Sequence, residues 1–192
     1  MPPTVLAILA EGFEEIELVT PVDLLRRAGA LVTLATLGSD RSVRGRSGLV
    51  LHADATLETA AKATYDCLFL PGGPGVRALR ADGRPARLAR AQAARGGWIA
   101  AICAAPVVLK DAGLLEGKQF TAHFSVASEL PEAAGDQRIV ADGRLLTGRG
   151  AGTALDFGLM LVAHLFSPSV AAGISREVAA DLPPLPCAES PA

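Results

Sequence analysis

Short apolar runs that alternate with helix-like segments constrain the fold of this chain more than any other feature. Residues 4–10 (TVLAILA) contain no charge, as expected of a parallel strand buried on both faces. Residues 14–30 have apolar side chains at helical spacing, with Pro21 predicted to kink or restart the helix and Gly29 to end it. Residues 31–37 are a second strand-like run. This strand–helix–strand opening predicts a parallel sheet with right-handed crossovers.

The same alternation continues to residue 166. Further strands are predicted at 66–70, 98–102 and 119–124, helices at 84–95, 105–115 and 153–166, and antiparallel ribbons at 42–53 and 137–150. Asp142-Gly143 is a strong hairpin turn signal in the second ribbon. The pattern predicts an α/β fold, a three-layer sandwich around a mostly parallel sheet. Residues 1–180 are predicted to form a single domain, and the Pro-rich residues 181–192 a loosely held tail.

Composition excludes several classes of function. Half of the 192 residues are hydrophobic, enough for one domain with a sizeable core. The net charge is only -2 and no block of Lys or Arg occurs, so no nucleic-acid partner is expected. No uncharged apolar stretch approaches the roughly 18 residues of a membrane span, and no basic segment precedes the first apolar run. We therefore expect a cytoplasmic protein with no membrane partner.

The three cysteines indicate neither a disulfide framework nor a metal site. Cys67, Cys103 and Cys187 are far apart in the sequence, and the three histidines are scattered. Metal-binding motifs instead bring such residues together at short, regular spacing. We expect no metal and no cofactor.

Three of the predicted strands run into residues that can do chemistry. In open parallel sheets, functional sites form at the carboxyl ends of strands. The first strand is followed by Glu14, Glu15 and Glu17, the strand at 66–70 by Pro71-Gly72-Gly73, and the strand at 98–102 by Cys103. If these strands are neighbours, acid, glycine turn and thiol meet in one place.

Cys103 lies between an apolar strand and a helix-like segment, the position of a nucleophile elbow. Small neighbours such as Ala101 and Ala104 allow the tight turn that points such a side chain outward. The start of the following helix would favour a thiolate. The alternative is a buried core cysteine, the commonest fate of a free thiol. Catalyst, redox sensor and core residue all remain open for Cys103 on spacing alone.

Two other side chains could act with this thiol. A carboxyl beside a thiolate would have a raised pKa and could donate a hydrogen bond to sulfur. Glu17 is the candidate, or else a solvated residue, whereas Glu14 and Glu15 are expected to face water near the helix start. His123, at the end of the predicted strand 119–124, could be the acid or base that partners the thiol, or a structural histidine. His164 is interpreted as a packing or surface residue.

Backbone groups could complete the site. One N–H from the Gly72-Gly73 turn and the N–H of Ala104 would together form an oxyanion hole. A Pro-Gly-Gly string also occurs in ordinary loops, and that interpretation remains open here.

Four segments in register resemble the ThiJ/PfpI superfamily, most closely its Parkinsonism-associated deglycase (DJ-one) branch. They are LAEGFEEIELVTPVDLLRRAG, YDCLFLPGG, AAICAAP and LLTGRGAGTALDFGL, and the match runs from about residue 5 to about residue 166. The resemblance implies a flavodoxin-like α/β sandwich of the class I glutamine amidotransferase type, usually a homodimer.

The resemblance also implies roles for particular residues. The cysteine of A-x-C-x-x-P is the reactive residue, here Cys103, and the glutamate of the first helix, here Glu17, is its protonated partner. The second glycine of P-G-G, here Gly73, contributes an N–H, and members that act on glyoxals often use a histidine that matches His123. The supporting pocket comprises Glu14, Gly72, Gly150, Ala151, Gly152 and Thr153.

Local residues separate this chain from other branches. The intracellular-protease branch has histidine directly after the cysteine, where this chain has Ala104. The isocyanide hydratase branch has C-T-G, where this chain has Cys-Ala-Ala, and the His-x-Glu pair of glutamine amidotransferases is missing from the sequence. Within the DJ-one branch, Ser47 replaces a frequent arginine, with Arg46 beside it, and Phe124 replaces the proline of animal members.

The resemblance implies a cofactor-independent glyoxalase or protein deglycase with a cysteine nucleophile. Its partners would be small reactive dicarbonyls, namely methylglyoxal and glyoxal, or glycated protein side chains. The rival interpretation is a redox-sensing stress-response protein or holdase chaperone, in which Cys103 is oxidised to the sulfinate.

Overall fold

The computed structural model describes residues 1–180; the predicted tail at 181–192, with Cys187, lies outside the described residues. The strands are β1 Thr4–Leu9, β2 Leu31–Thr36, β3 Ser42–Arg44, β4 Val50–His52, β5 Ala55–Thr56, β6 Cys67–Leu70, β7 Trp98–Ile102, β8 Ile139–Asp142 and β9 Leu145–Gly148. The helices are α1 Glu15–Arg27, α2 Leu57–Ala60, α3 Val76–Asp82, α4 Arg84–Ala94, α5 Pro106–Asp111, α6 Ala154–Leu165 and α7 Pro168–Glu177.

Seven strands form one sheet in the order β5-β2-β1-β6-β7-β9-β8, in which β8 alone is antiparallel to its neighbour. Strands β3 and β4 form a separate antiparallel ribbon. The predicted α/β sandwich with a mostly parallel sheet is confirmed. Strands β1, β6 and β7 are adjacent and parallel, so their carboxyl ends meet at one edge of the sheet.

The apolar run of β1 is buried on both faces, as its composition predicts. Val5, Ala7 and Leu9 join one hydrophobic cluster with residues of α1 and α6, while Leu6 and Ile8 join a second cluster with residues of α3, α4 and α5. Successive side chains of a strand point to opposite faces, so an all-apolar strand requires a helical layer on each side. Two helical layers around one sheet result.

Helix α1 continues through Pro21 and neither stops nor restarts there. The surrounding structure packs tightly against this point. A β-carbon on Gly158 of α6 would fall 2.9 Å from Pro21 Cα and 2.7 Å from Leu24 Cδ1. The close contact between α1 and α6 therefore depends on that glycine.

The prediction of a strand at residues 119–124 is wrong. Strand β7 already pairs with β6 and β9, so neither of its edges is free for this segment. The N–H of Thr121 donates to the side-chain oxygen Thr147 Oγ1 (2.9 Å), and the Thr121 hydroxyl bonds to carbonyls of the following loop. The segment is therefore extended but not part of a ladder, and it ends in a 3-10 turn at Phe124–Val126.

No helix among residues 1–180 has both the length and the apolar character needed to cross a bilayer.

Candidate active site

Cys103 sits on a strained turn directly after β7. Its φ is 66°, in the left-handed region that residues with a side chain rarely occupy. Two backbone hydrogen bonds hold the turn: the Cys103 N–H donates to the Gly148 carbonyl (2.8 Å), and the Cys103 carbonyl accepts from the His123 N–H (2.9 Å). The turn has the geometry of a nucleophile elbow and holds a half-buried thiol at the edge of the sheet.

The glycine turn after β6 lies against Cys103 with no room for a side chain. A β-carbon on Gly72 would fall 2.6 Å from Cys103 Cβ and 2.5 Å from Glu17 Oε2. Gly73 has a φ of 91°, a conformation that favours glycine. The N–H groups of Gly73 and Ala104 lie beside the Cys103 thiol and act to lower its pKa. The Pro-Gly-Gly turn is therefore packed into the site and is not an ordinary exposed loop.

Glu17 is almost completely buried, with 1% of its surface exposed. Its Oε2 accepts the Gly72 N–H (3.0 Å). The Cys103 side chain and the Ala151 N–H also lie beside its carboxyl and act to lower its pKa. Burial raises the pKa of Glu17 to about 7; the negative charge of Glu14 adds to the rise, and the hydrogen bonds oppose it.

The electrostatics of the thiol differ from the expectation that a helix start would favour a thiolate. Burial raises the pKa of Cys103 to about 12, the charge of Glu17 adds to the rise, and the N–H groups of Gly73 and Ala104 oppose it. When Glu17 is protonated, its charge disappears and its O–H can donate to the sulfur, so its effect on the thiol reverses. Glu17 and Cys103 therefore titrate as a coupled pair, in which the proton of one group sets the pKa of the other.

Glu14 and Glu15 do not face water, which corrects the sequence-based expectation. They are 7% and 6% exposed. Glu14 caps α1, with Oε2 accepting the Glu17 N–H (2.8 Å), and Glu15 Oε1 accepts the Ser47 N–H (2.7 Å). The ribbon formed by β3 and β4 folds over the first turn of α1 and covers the Glu15 carboxylate. A sequence pattern cannot show this tertiary contact.

His123 lies beside Cys103. Its Nδ1 accepts the Ser125 N–H (3.2 Å) and lies 2.9 Å from Ser125 Oγ. Its Cδ2 edge faces Gly150: a β-carbon there would fall 3.2 Å from Cδ2 and 4.0 Å from Glu17 Oε1. Burial, and then the positive charge of Arg46, lower the pKa of His123 and favour the neutral ring.

A cavity of about 600 Å³ joins these groups. Among the predicted site residues, it is lined by Glu14, Glu17, Gly73, Cys103, Ala104, His123 and Ala151. The loop at 150–153 is held together by Thr153 Oγ1, which donates to the Gly150 carbonyl (2.7 Å). Gly152 and Thr153 line a neighbouring cavity of about 580 Å³, which shares His123 and Ala151 with the first. The structure thus brings the thiol, acid and histidine together and places Gly152 and Thr153 one layer away.

Nine further residues line the Cys103 cavity without having been selected from the sequence, among them Arg46, Arg77 and Ser125. Arg46 lies near enough to His123 for its positive charge to lower the pKa of that ring. Arg77 lies on α3, a helix too short to give a clear periodic signal. Ser125 could have been noticed from the His-x-Ser spacing alone. Within residues 1–180, no group of three or more His, Cys, Asp or Glu side chains could hold a metal ion.

Comparisons with known proteins agree on one family. Residues 3–164 match the model of the DJ-1/PfpI family. The chain is 39% identical over 179 residues to Protein DJ-1alpha of Drosophila melanogaster, which covers 91% of this chain and 81% of that protein. It is 34% identical over 161 residues to "Glutathione-independent glyoxalase DJR-1.2" of Caenorhabditis elegans, covering 82% and 86%. The oxidized form of Toxoplasma gondii DJ-1 superposes with a TM-score of 0.89 at 32% identity, covering 94% and 100%.

Proposed function

This chain belongs to the DJ-1/PfpI family, and on that premise we propose that it is a glyoxalase or protein deglycase that needs no cofactor and reacts through Cys103. One observation carries the proposal. The Cys103 thiol stands on a strained turn, beside a buried carboxyl whose pKa is raised to about 7, at the wall of an open cavity. The similarity to a glutathione-independent glyoxalase supports the choice of reaction.

The proposed reaction begins with attack of the Cys103 sulfur on the aldehyde carbon of methylglyoxal or glyoxal. With the shared proton on Glu17, the sulfur is a thiolate. A carbon–sulfur bond forms, and the aldehyde oxygen takes the Glu17 proton to give a hemithioacetal. The N–H groups of Gly73 and Ala104, which contact the sulfur, are positioned to stabilise that oxygen as its charge develops.

The second stage moves a hydrogen between the two carbonyl carbons. Glu17, now a carboxylate, removes the proton from the former aldehyde carbon, and an enediolate forms with its negative charge on the oxygen of the second carbon and His123 beside it. Glu17 then returns this proton to the second carbon, while the hydroxyl proton of the first carbon passes to the oxygen of the second, which leaves a thioester. Water then cleaves the thioester, releases lactate or glycolate and restores the thiol. One carbon is oxidised as the other is reduced, so the sequence needs no external oxidant or reductant.

Incubation of the protein with methylglyoxal in D₂O, without added thiol, tests this function. Proton NMR is expected to show lactate from the wild type and none above background from Cys103→Ser. Deuterium at the lactate C2 position would report proton transfer through an exchangeable group of the enzyme. Equal rates of lactate formation by the two proteins would rule the proposal out. Hemithioacetals formed by methylglyoxal on peptide cysteines test the deglycase form of the same chemistry.

A second candidate function is redox sensing, in a stress-response or holdase chaperone role. Two observations favour it: the half-buried thiol has a carboxyl partner that can donate to an oxidised sulfur, and the fold is similar to that of a protein solved in oxidized form. Peroxide would supply both oxygen atoms of a Cys103 sulfinate. Intact-protein mass spectrometry after mild peroxide treatment is expected to show two added oxygens. Cys103→Ser should show none.

We further propose that the chain forms a homodimer. Four apolar side chains are 44–61% exposed: Ile16 and Val19 on α1, Leu49 just before β4, and Val50 at the start of β4. The hydrogen bond between Ser47 and Glu15 joins the ribbon to α1, so these apolar side chains belong to adjacent surfaces. Light scattering coupled to gel filtration is expected to give twice the chain mass, and the mass of one chain for Val19→Glu.

A further inference from the structure

The ring of His123 has a partner that fixes which of its nitrogens carries the proton. The backbone N–H of Ser125 donates to Nδ1 at 3.2 Å. A backbone N–H cannot accept a hydrogen bond, so Nδ1 must present a lone pair. A neutral imidazole carries a single N–H, and with Nδ1 unprotonated that proton is on Nε2.

A charged ring is disfavoured by the same contact. An imidazolium carries an N–H on both nitrogens, so its Nδ1–H would point at the Ser125 N–H, donor against donor. Burial and the neighbouring Arg46 act in the same direction and lower the pKa of His123. Ser125 Oγ, 2.9 Å from Nδ1, can turn its hydroxyl to donate as well.

We infer that Ser125 is a positioning residue that holds His123 as the Nε2–H tautomer, so that His123 acts as a hydrogen-bond donor to the substrate and not as the base. The catalytic half of this inference rests on the proposed function. The tautomer itself does not, because it follows from the backbone contact alone.

The orientation of the ring matches a donor role in the cavity. The Cδ2 edge, which adjoins Nε2, faces Gly150 on the side of the Glu17 carboxyl. When Glu17 removes the proton from the first carbon, negative charge develops on the oxygen of the second. An N–H preset toward that oxygen stabilises the enediol without taking the carbon proton. Glu17 is then the base, and His123 donates to the oxygen.

Nitrogen-15 NMR of the histidine rings measures the tautomer directly. The chain has three histidines, so His52→Gln and His164→Gln assign the remaining His123 signals. At a pH where the ring is neutral, we expect His123 Nδ1 to resonate as the unprotonated nitrogen and Nε2 as the protonated one. A protonated Nδ1 in the wild-type protein would overturn the inference, whatever the activity.

Three variants separate the Ser125 N–H from other features of the turn. Ser125→Pro removes the N–H, whose sole hydrogen bond among the described residues is to Nδ1, and should give a mixture of tautomers. Ser125→Ala removes the hydroxyl and should leave the tautomer unchanged. Phe124→Pro is the matched proline control, because His123 has the extended ψ of 145° that a following proline requires. An unchanged tautomer in folded Ser125→Pro, or a changed one in Phe124→Pro, contradicts the assignment to the Ser125 N–H.

Kinetics with methylglyoxal test the donor role. His123→Leu is expected to lower kcat about a hundredfold, the cost of losing one oxyanion-type donor. His123→Gln, which keeps an N–H but cannot act as a base, should recover about tenfold of that loss. Equal kcat values for the two variants would refute the donor role. If even the wild-type protein leaves methylglyoxal unchanged, the proposed function fails, while the NMR experiment still decides the tautomer.

Discussion

Two cysteines on neighbouring strands of the same sheet have opposite surroundings. Cys67 is the first residue of β6, fully buried, and pairs in regular register with Val5 and Trp98. Cys103 follows the last residue of β7, is half-buried and has a φ of 66°. The difference is one of position along the strand. A thiol at the amino end of a strand faces the core, and a thiol just past the carboxyl end reaches the cavity.

The two thiols also differ in the groups that raise or lower their pKa values. Burial, and then the charge of Asp66, raise the pKa of Cys67, and no neighbouring group opposes the rise. Burial also raises the pKa of Cys103, but Cys103 has two N–H groups and the protonatable Glu17 against its sulfur. Under the proposed function, the reactivity of Cys103 depends on Glu17 as a partner that can hold the proton, and not on exposure alone.

The largest expected effect is a loss of turnover when Cys103 is substituted, with a substitution of Cys67 as the comparison. Cys103→Ser should lower methylglyoxal turnover by roughly a thousandfold or more, because an alcohol of ordinary pKa replaces the nucleophile. Cys67→Ala should leave kcat within about twofold, since Cys67 does not line the cavity. Circular dichroism and thermal unfolding confirm that both variants fold. Comparable losses in the two variants would show that the contrast between the cysteines is not catalytic.

Much of the fold follows from the sequence, because the central strands are apolar throughout. Strands β1, β6 and β7 have no charged residue, and burial on both faces leaves few alternatives to a parallel sheet between helices. The strand predicted at 119–124 fails because pairing depends on which sheet edges are free, a property of the whole topology. Helix α7 was missed although Ser167-Pro168 is a helix-start signal, with Ser167 Oγ accepting the Val170 N–H.

The sequence predicts which residues meet at the strand ends, but it does not predict their burial or their pKa values. The positions of Cys103, Glu17 and Gly73 follow from which strands adjoin. The burial of Glu15 and the arrival of Arg46 in the cavity depend on how the ribbon of β3 and β4 folds over α1. The raised thiol pKa depends on the depth of burial. The burial of Glu15, the position of Arg46 and the pKa of the thiol all depend on tertiary contacts, about which sequence periodicity carries no information.

Removing the proton-sharing partner sharpens the contrast between the two thiols. Glu17→Gln should lower methylglyoxal turnover about a hundredfold, because the acid–base group is lost. The pKa of Cys103 should fall below about 12 in the same variant, because the carboxylate charge that raises it is gone. The rate of iodoacetamide alkylation against pH measures that pKa. A rise in the thiol pKa would contradict the shared-proton account. The buried Cys67 should stay unreactive throughout.

The raised pKa of Glu17 predicts that stability depends on pH below about pH 7, a range in which Cys67 contributes nothing. The folded chain keeps the Glu17 proton up to about pH 7, while the unfolded chain releases it near 4.5. The free energy of unfolding should therefore fall as pH rises from about 4.5 to about 7, by on the order of 2–3 kcal/mol, and then level off. Urea denaturation at pH 5 and pH 8 measures the change. Glu17→Gln should remove this component and Cys67→Ala should keep it. An equal pH dependence in Glu17→Gln and the wild type would assign it to other groups.

The smallest expected effect is on stability and comes from the backbone conformations of the two cysteines. It is measured in variants that have glycine or alanine in place of each cysteine. At position 103 the left-handed φ strains any residue that has a β-carbon. Cys103→Gly should therefore be more stable than Cys103→Ala, by about 1 kcal/mol. At position 67 the backbone is an ordinary strand, where glycine costs about 1 kcal/mol relative to alanine, so the order should reverse. Urea denaturation of the four variants gives both differences. If the alanine variant is the more stable one at both positions, the turn at residue 103 relaxes once the thiol is removed. The strain then comes from the contacts of the thiol and not from the backbone.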